Sequence, residues 1–262
     1  MQQDLNASPG IALVTGSGRR IGRAIALGLG KLGYPVAVHY STSAKDALAT
    51  VDEIVSNGGK AMAFQADLAS ESQTSSLLEE VANHLGEPVC VVNSASSFVF
   101  DEAASFTYSA LDAQMHVNLA APLVLARDLS ARRRALGADA AGAVVINLLD
   151  QKLFNPNPDF LSYTLSKSAL HAATTLLAMA LAPEVRVVGI APGITLPSPG
   201  QSEKGFQAAH QATPLHRSST PEDIVDAVLF AARNRALTGT TLLVDGGQHL
   251  VPVERDVMFY AP

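Results

Sequence analysis

One cysteine stands among 262 residues, and tryptophan is missing altogether. A lone Cys90 cannot close an internal disulfide or build a cysteine-rich metal site, which fits a reducing compartment. Inside the apolar run Val89-Cys90-Val91-Val92 it reads as a core residue rather than a reactive thiol. Charge is scarce as well. With 16% charged against 48% hydrophobic residues, the chain is too apolar for disorder and rich enough for a sizeable core. Long apolar runs are missing too: none approaches the ~20 residues of a bilayer span. The opening Met-Gln-Gln-Asp-Leu-Asn is too polar for a signal peptide, so a soluble, cytoplasmic protein is expected. Positive charge is in deficit, 18 Lys and Arg against 24 Asp and Glu, for a net charge of −6. That is the wrong sign for a protein held to nucleic acid by phosphate neutralisation. The run Arg132-Arg133-Arg134 closes a predicted helix, where the dipole favours cations, and does not change this reading. The seven histidines form no His-Glu-x-x-His or comparable cluster, so no metal is indicated; His116 reads as a packed helical residue.

What the chain does have is alternation. Apolar β-prone runs at 11–15, 35–39, 61–65, 89–92, 143–148, 185–190 and 241–244 read as strands. Between them, segments 21–32, 44–55, 70–85, about 109–136, 163–181 and 221–233 carry helical periodicity or helix-end signals. Seven strands joined by six helical connections predict a doubly wound α/β fold, a parallel sheet with helices on both faces. No linker or composition shift divides it, so 1–262 reads as a single domain with 251–262 as a C-terminal tail. In such a sheet ligands bind beyond the carboxyl ends of the strands.

The first of those ends reads Thr15-Gly16-Ser17-Gly18-Arg19-Arg20-Ile21-Gly22. Glycines there let backbone approach a pyrophosphate, and the helix that follows directs its N–H groups at it. The spacing is not G-x-G-x-x-G, so alone the loop is a weak nucleotide signal. At the end of the second strand, His39-Tyr40-Ser41-Thr42-Ser43 has no acid for a ribose 2′-hydroxyl. Hydroxyls and His39 suit a 2′-phosphate instead, and Arg19 can supply the cation. After the third strand, Asp67 and Leu68 put a carboxylate where it can accept from an adenine amino group or cap a helix.

Taken in order, the Thr15-Gly16 loop, Asp67, Asn93-Ser-Ala-Ser-Ser-Phe98, Asn118, Tyr163-Thr-Leu-Ser-Lys167, Pro192-Gly193 and Val244-Asp-Gly-Gly247 resemble the short-chain dehydrogenases/reductases over about 11–250. Tyr163 and Lys167 lie four apart, on one helical face, and an ammonium near a phenol favours the phenolate. The resemblance implies a Rossmann-like fold and an NADPH/NADP cofactor bound by Gly16, Gly18, Arg19, Arg20, Ile21, His39, Tyr40, Ser41, Asp67, Leu68, Asn93, Ser94, Ala95, Ser96, Tyr163, Lys167, Pro192, Gly193 and Thr195. It implies Tyr163 as proton donor, Lys167 lowering its pKa and holding the nicotinamide ribose, and Asn118 in a water relay. Cytoplasmic homotetramers, packed through the helix at 163–181 and the one before it, are common in the family; the first of these is apolar around much of its circumference.

Three residues depart from the common family pattern. Arg20 stands where most members have the loop's middle glycine, Asp150 where most have the catalytic serine, and Ser94 replaces the second asparagine of Asn-Asn-Ala. With Ser96-Ser97-Phe98 and His39-Tyr40 they resemble the pteridine reductase and dihydromonapterin reductase branch. A pterin is a flat, nitrogen-rich ring reduced at a carbon–nitrogen bond, and Arg20, Ser96, Phe98, Asp150 and Tyr163 are the expected substrate residues. Phe98 would stack on the ring, Arg20 would bridge the pyrophosphate and a ring-edge atom, and Asp150 would orient or reprotonate the phenol. A carbonyl reductase with the same fold and cofactor, or a non-catalytic NADP-binding regulator, are the alternatives. Segment 194–204 is expected to form a substrate lid, and Met258-Phe259-Tyr260 to dock on a neighbouring subunit or to be a disordered end.

Overall fold

A computed structural model describes residues 10–137, 142–198 and 200–259. Seven strands form one sheet: β1 (Ile11–Val14), β2 (Val36–Tyr40), β3 (Ala61–Gln65), β4 (Pro88–Asn93), β5 (Ala143–Leu148), β6 (Val185–Pro192) and β7 (Thr241–Val244). Their order is β3-β2-β1-β4-β5-β6-β7, all parallel. The order reverses direction between β1 and β4, which opens a crevice there at the carboxyl ends.

Helices α1 (Arg20–Lys31), α2 (Ala44–Ser56), α3 (Glu71–His84), α4 (Tyr108–Met115), α5 (Ala121–Leu136), α6 (Leu161–Ala180), α7 (Glu203–Gln211) and α8 (Pro221–Arg233) connect the strands. Two hydrophobic layers result. Ile25, Leu29, Ile224 and Val228 of α1 and α8 pack on one face; Leu77, Leu78, Leu125 and Leu129 of α3 and α5 pack on the other. Strands β5 and β6 are buried at every position, as continuous Val/Ile runs covered on both faces must be.

The elements predicted from alternation are present, with three departures. The helix expected over about 109–136 is broken by a π-helical turn at His116–Ala120, which puts Asn118 inward and leaves His116 exposed rather than packed. The segment after β6 enters α7, capped by Ser202; the helix begins inside the expected lid at 194–204 and runs beyond it. The chain beyond Leu250 packs on its own domain: Val257–Phe259 forms a 3-10 turn, and the ring of Phe259 packs on Phe100 and Phe160. Tyr260 lies outside the described residues. Burial pushes the Cys90 thiol up to about 12, consistent with an inert core residue. Of the arginine run, Arg132 pairs with Glu87 and Arg134 with Glu184.

Candidate active site

The crevice above β1, β4 and β5 is a cavity of about 700 Å³. It is floored by the glycine loop. Gly16 is left-handed, at φ +63°, and an added Cβ there would lie 2.9 Å from Ala95 Cα. A Cβ on Gly22 would meet the Gly16 carbonyl oxygen at 2.4 Å. Bare backbone at both positions lets the start of α1 sit against the loop and the end of β4. Thr15 ties the same two strands: its Oγ1 accepts from the N–H groups of Ser94 and Ala95, each at 3.0 Å. The first turn of α1 has neither a capping side chain nor an acidic residue, unlike α3, α7 and α8, which Ser70, Ser202 and Thr220 cap. Its orphan N–H donors and bare glycines suit an anionic pyrophosphate.

Of the residues expected to hold the cofactor, Gly16, Arg19, Arg20, Ile21, His39, Ser41, Asp67, Leu68, Ser94, Ala95, Ser96, Tyr163, Lys167, Pro192, Gly193 and Thr195 line this cavity. Four expected site residues sit behind the wall. Gly18 packs under α2, where a Cβ would lie 3.1 Å from Ala47 N. Tyr40 joins the apolar layer beneath α1 and α8. Asn93 donates to Asn147 Oδ1 at 2.8 Å, linking β4 to β5. Asn118 is buried and saturated: Oδ1 accepts from Ser97 N at 2.7 Å and Ser96 Oγ at 3.2 Å, while Nδ2 donates to Ser97 O and Ser166 Oγ, both at 2.9 Å. It fastens the β4 loop to α6.

The cationic residues take more specific places than their sequence positions suggested. The Nδ1 of His39 accepts from Gly16 N and its Nε2 faces Ala66 O, each at 3.1 Å, so both ring nitrogens are engaged by backbone. Burial lowers its pKa to about 4, and the ring is neutral. It props the glycine loop and carries no charge for a phosphate. Arg19 is exposed and paired with Asp46 of α2. Arg20, itself left-handed at φ +52°, donates to Pro197 O at 3.0 Å and Leu196 O at 3.4 Å, joining the glycine loop to the segment after β6.

The reactive end is built from β5 and α6. Asp150 follows β5 by two residues, and its Oδ2 accepts from Tyr163 Oη at 2.8 Å. Its Oδ1 accepts from the backbone N–H of Lys152, also at 2.8 Å. Lys167 donates to Leu148 O at 2.7 Å, and its Nζ lies 5.8 Å from the centre of the Tyr163 ring. Lys167 and Tyr163 share a helical face, as the spacing implied, while the hydrogen-bond partner of the phenol is Asp150. Burial first, and then the Asp150 charge, raises the Tyr163 pKa well above its ordinary value. Burial also raises the Asp150 carboxyl, against the pull of the Lys152 N–H and the Tyr163 hydroxyl, and lowers Lys167 to about 8. The phenol is held protonated, as a proton donor requires.

Phe98 stacks on Phe160, with centroids 4.2 Å apart, and meets Tyr163 edge-on at 4.7 Å. Phe160 adopts a left-handed φ of +56° where α6 begins, a conformation disfavoured for an aromatic residue and set beside the reactive pair. With 42% of Phe98 exposed, an aromatic surface remains on the cavity wall. Sequence reasoning missed Gln248, Asp256 and Val257, which also line the cavity. The twelve-residue departure after Leu250 signalled Asp256 and Val257, and nothing signalled Gln248.

Comparison with known proteins gives the family and the fold. A family model described as enoyl-(acyl carrier protein) reductase matches residues 16–249. A short chain dehydrogenase/reductase of Aspergillus novofumigatus is 30% identical over 254 residues, covering 90% of this chain and 94% of that one. The dihydromonapterin reductase of Klebsiella pneumoniae is 29% identical over 238 residues, covering 91% and 96%. The crystal structure of FolM alternative dihydrofolate reductase 1 from Brucella canis, complexed with NADP, superposes with a TM-score of 0.89 at 38% identity, covering 97% of this chain and 99% of that one.

Proposed function

The chain belongs to the short-chain dehydrogenase/reductase family, and on that premise we propose that it is an NADPH-dependent reductase of the pterin ring, acting on a dihydropterin or dihydrofolate-like substrate. The class is firm: an NADP-dependent oxidoreductase. One observation carries the finer reading, the buried hydrogen bond from Tyr163 to Asp150 in the cavity that Phe98 and Arg20 also line. A carbonyl reductase more often presents a neutral hydroxyl at that place. The likeness to FolM alternative dihydrofolate reductase 1 and to dihydromonapterin reductase supports the same substrate class.

NADPH, held between the glycine loop and Lys167, would supply a hydride to a ring carbon, and the adjacent nitrogen would then need a proton. Tyr163 donates it. Burial favours the neutral form of Asp150, which in that form donates its own proton to Tyr163 Oη. The phenolic proton is then free to turn from Asp150 towards the substrate, and Asp150 restores it after transfer. Lys167, held by the Leu148 carbonyl beside the phenol, places a positive charge for the ribose and for the phenolate that forms transiently. Phe98 offers its ring to the flat face of the substrate, while Arg20 keeps the segment after β6 over the glycine loop. The chain is further read as a cytoplasmic homotetramer. The exposed face of α6, Leu165, Ser168, Ala172, Leu176 and Met179, bears no charge.

The test is NADPH oxidation with dihydromonapterin, dihydrobiopterin and dihydrofolate, set against ketones and 3-oxoacyl thioesters. Turnover of at least one dihydropterin is expected, and Asp150→Ser should abolish it. Turnover of carbonyl compounds alone, preserved in Asp150→Ser, would establish a carbonyl reductase instead.

A further inference from the structure

The tail beyond Leu250 folds back onto its own reactive centre through a set of directed contacts. Arg255 Nε donates to both carboxylate oxygens of Asp159, at 3.0 and 2.9 Å, and Asp256 N donates to Asp159 Oδ2 at 2.7 Å. The Arg255 guanidinium lies 4.8 Å from the ring centre of Phe259, which itself packs on Phe100 and Phe160. Asp256 Oδ1 accepts from Met258 N at 3.1 Å and closes the last turn.

Its other oxygen reaches the chemistry. Asp256 Oδ2 accepts from Lys152 Nζ at 3.1 Å, across 104 residues of chain. Lys152 is 3% exposed, and the same ammonium donates to Asp159 O at 2.6 Å. Its backbone N–H is the donor that holds Asp150 Oδ1, and Asp150 Oδ2 holds Tyr163. A continuous line of polar contacts therefore runs from the tail carboxylate through Lys152 to the phenol, while Asp256 and Val257 also face the cavity.

We propose that the segment Arg255–Phe259 is a working part of the reactive site, with Asp256 a positioning residue that acts through Lys152 on the Asp150–Tyr163 pair. This rests on Asp150 and Tyr163 delivering the proton, whichever substrate receives it. A buried ammonium two residues from Asp150 would, unopposed, stabilise the Asp150 carboxylate and drain its proton. Asp256 neutralises that ammonium and adds a negative charge, which helps raise both Asp150 and Tyr163. The other charged groups beside Asp256 are Asp159 and Arg255, while Glu102 acts on Arg255.

The Asp150 carboxyl is followed by 13C NMR titration of the protein without cofactor, and the pH profile of kcat is recorded for the substrate that the parent reduces. Asp256→Asn should move the Asp150 titration and the corresponding limb of the profile down by about one unit, which is about tenfold in kcat on the alkaline side. The affinity for NADPH should stay within about twofold. Lys152→Met should move the same titration up, and combining the two substitutions should bring it back towards the parent. Should Asp256→Asn prove unstable, the upward shift in Lys152→Met tests the same coupling. An Asp150 titration unmoved in the folded variants, with activity lost only in step with melting temperature, would overturn the proposal and leave the tail a structural brace. Because the titration needs no substrate, failure of dihydropterin turnover would count against the pterin reading alone.

Discussion

Tyr163 donates its hydroxyl proton to Asp150 Oδ2 at 2.8 Å, a bond between a strand end and a helix thirteen residues apart. Burial raises both groups, and the Asp150 charge raises Tyr163 further, while the Tyr163 hydroxyl pulls Asp150 back down; both stay protonated to higher pH than in solution. Tyr163→Phe, which keeps the ring against Phe98, should lower kcat by at least about 100-fold while NADPH still binds, measured by single-turnover kinetics and by fluorescence of the bound nicotinamide. Retained turnover would remove Tyr163 from the proton path.

Gly22 lies where an added methyl group would stand 2.4 Å from the Gly16 carbonyl oxygen. Gly22→Ala must push the glycine loop away from the start of α1, where the orphan donors for the pyrophosphate are. NADPH affinity should fall by about tenfold or more while the far-UV spectrum is kept, and titration calorimetry reads the loss directly. An unchanged dissociation constant would place the pyrophosphate elsewhere.

His39 gives a pH signature to stability rather than to binding. Its folded pKa of about 4 lies below the ordinary 6.5, so the unfolded chain binds the proton more readily. The contribution of this residue is fully present above pH 6.5 and is lost as pH falls through the interval down to about 4, by up to about 3 kcal/mol. Urea midpoints measured from pH 7.5 to 4.5 should therefore fall more steeply for the parent than for His39→Gln. Parallel pH dependence in the two proteins would show that the ring is charged without penalty.

The uncharged outer face of α6 should hold copies of the chain together. Leu165, Leu176 and Met179 recur at helical spacing on that face and are 48%, 65% and 75% exposed. In sedimentation velocity the parent should run as an oligomer, and Leu176→Glu with Met179→Glu should shift it towards the monomer. A monomeric parent would sink the tetramer reading.

Local pattern carried much of the site. The glycine loop and the Tyr163–Lys167 spacing are short-range signals tied to a strand end and to one helical face, and they were legible for that reason. Asp150 was legible as a departure from the family pattern placed just after a strand, and Phe98 as an aromatic residue in the same kind of place. The hydrogen bond from Tyr163 to Asp150 was not, because it turns on which of the nearby groups the packing brings into contact with the phenol. His39 misled for a similar reason: its position at a strand end suggests a ligand contact, while its burial between Gly16 and Ala66 makes it a brace.

The sequence by itself determined the seven-strand alternation, the single domain and the crevice at the strand ends, since hydrophobic period and turn residues act over a few positions at a time. Tertiary structure decided what no period encodes. It broke the long central helix with a π-helical turn at Asn118, and it stacked Phe98 on Phe160, 62 residues apart in sequence order. It also brought Asp256 to Lys152. Contacts so far apart in the chain arise only once the sheet has set its strand ends side by side, because their energy depends on the distances that packing creates and not on the residues that stand next to them.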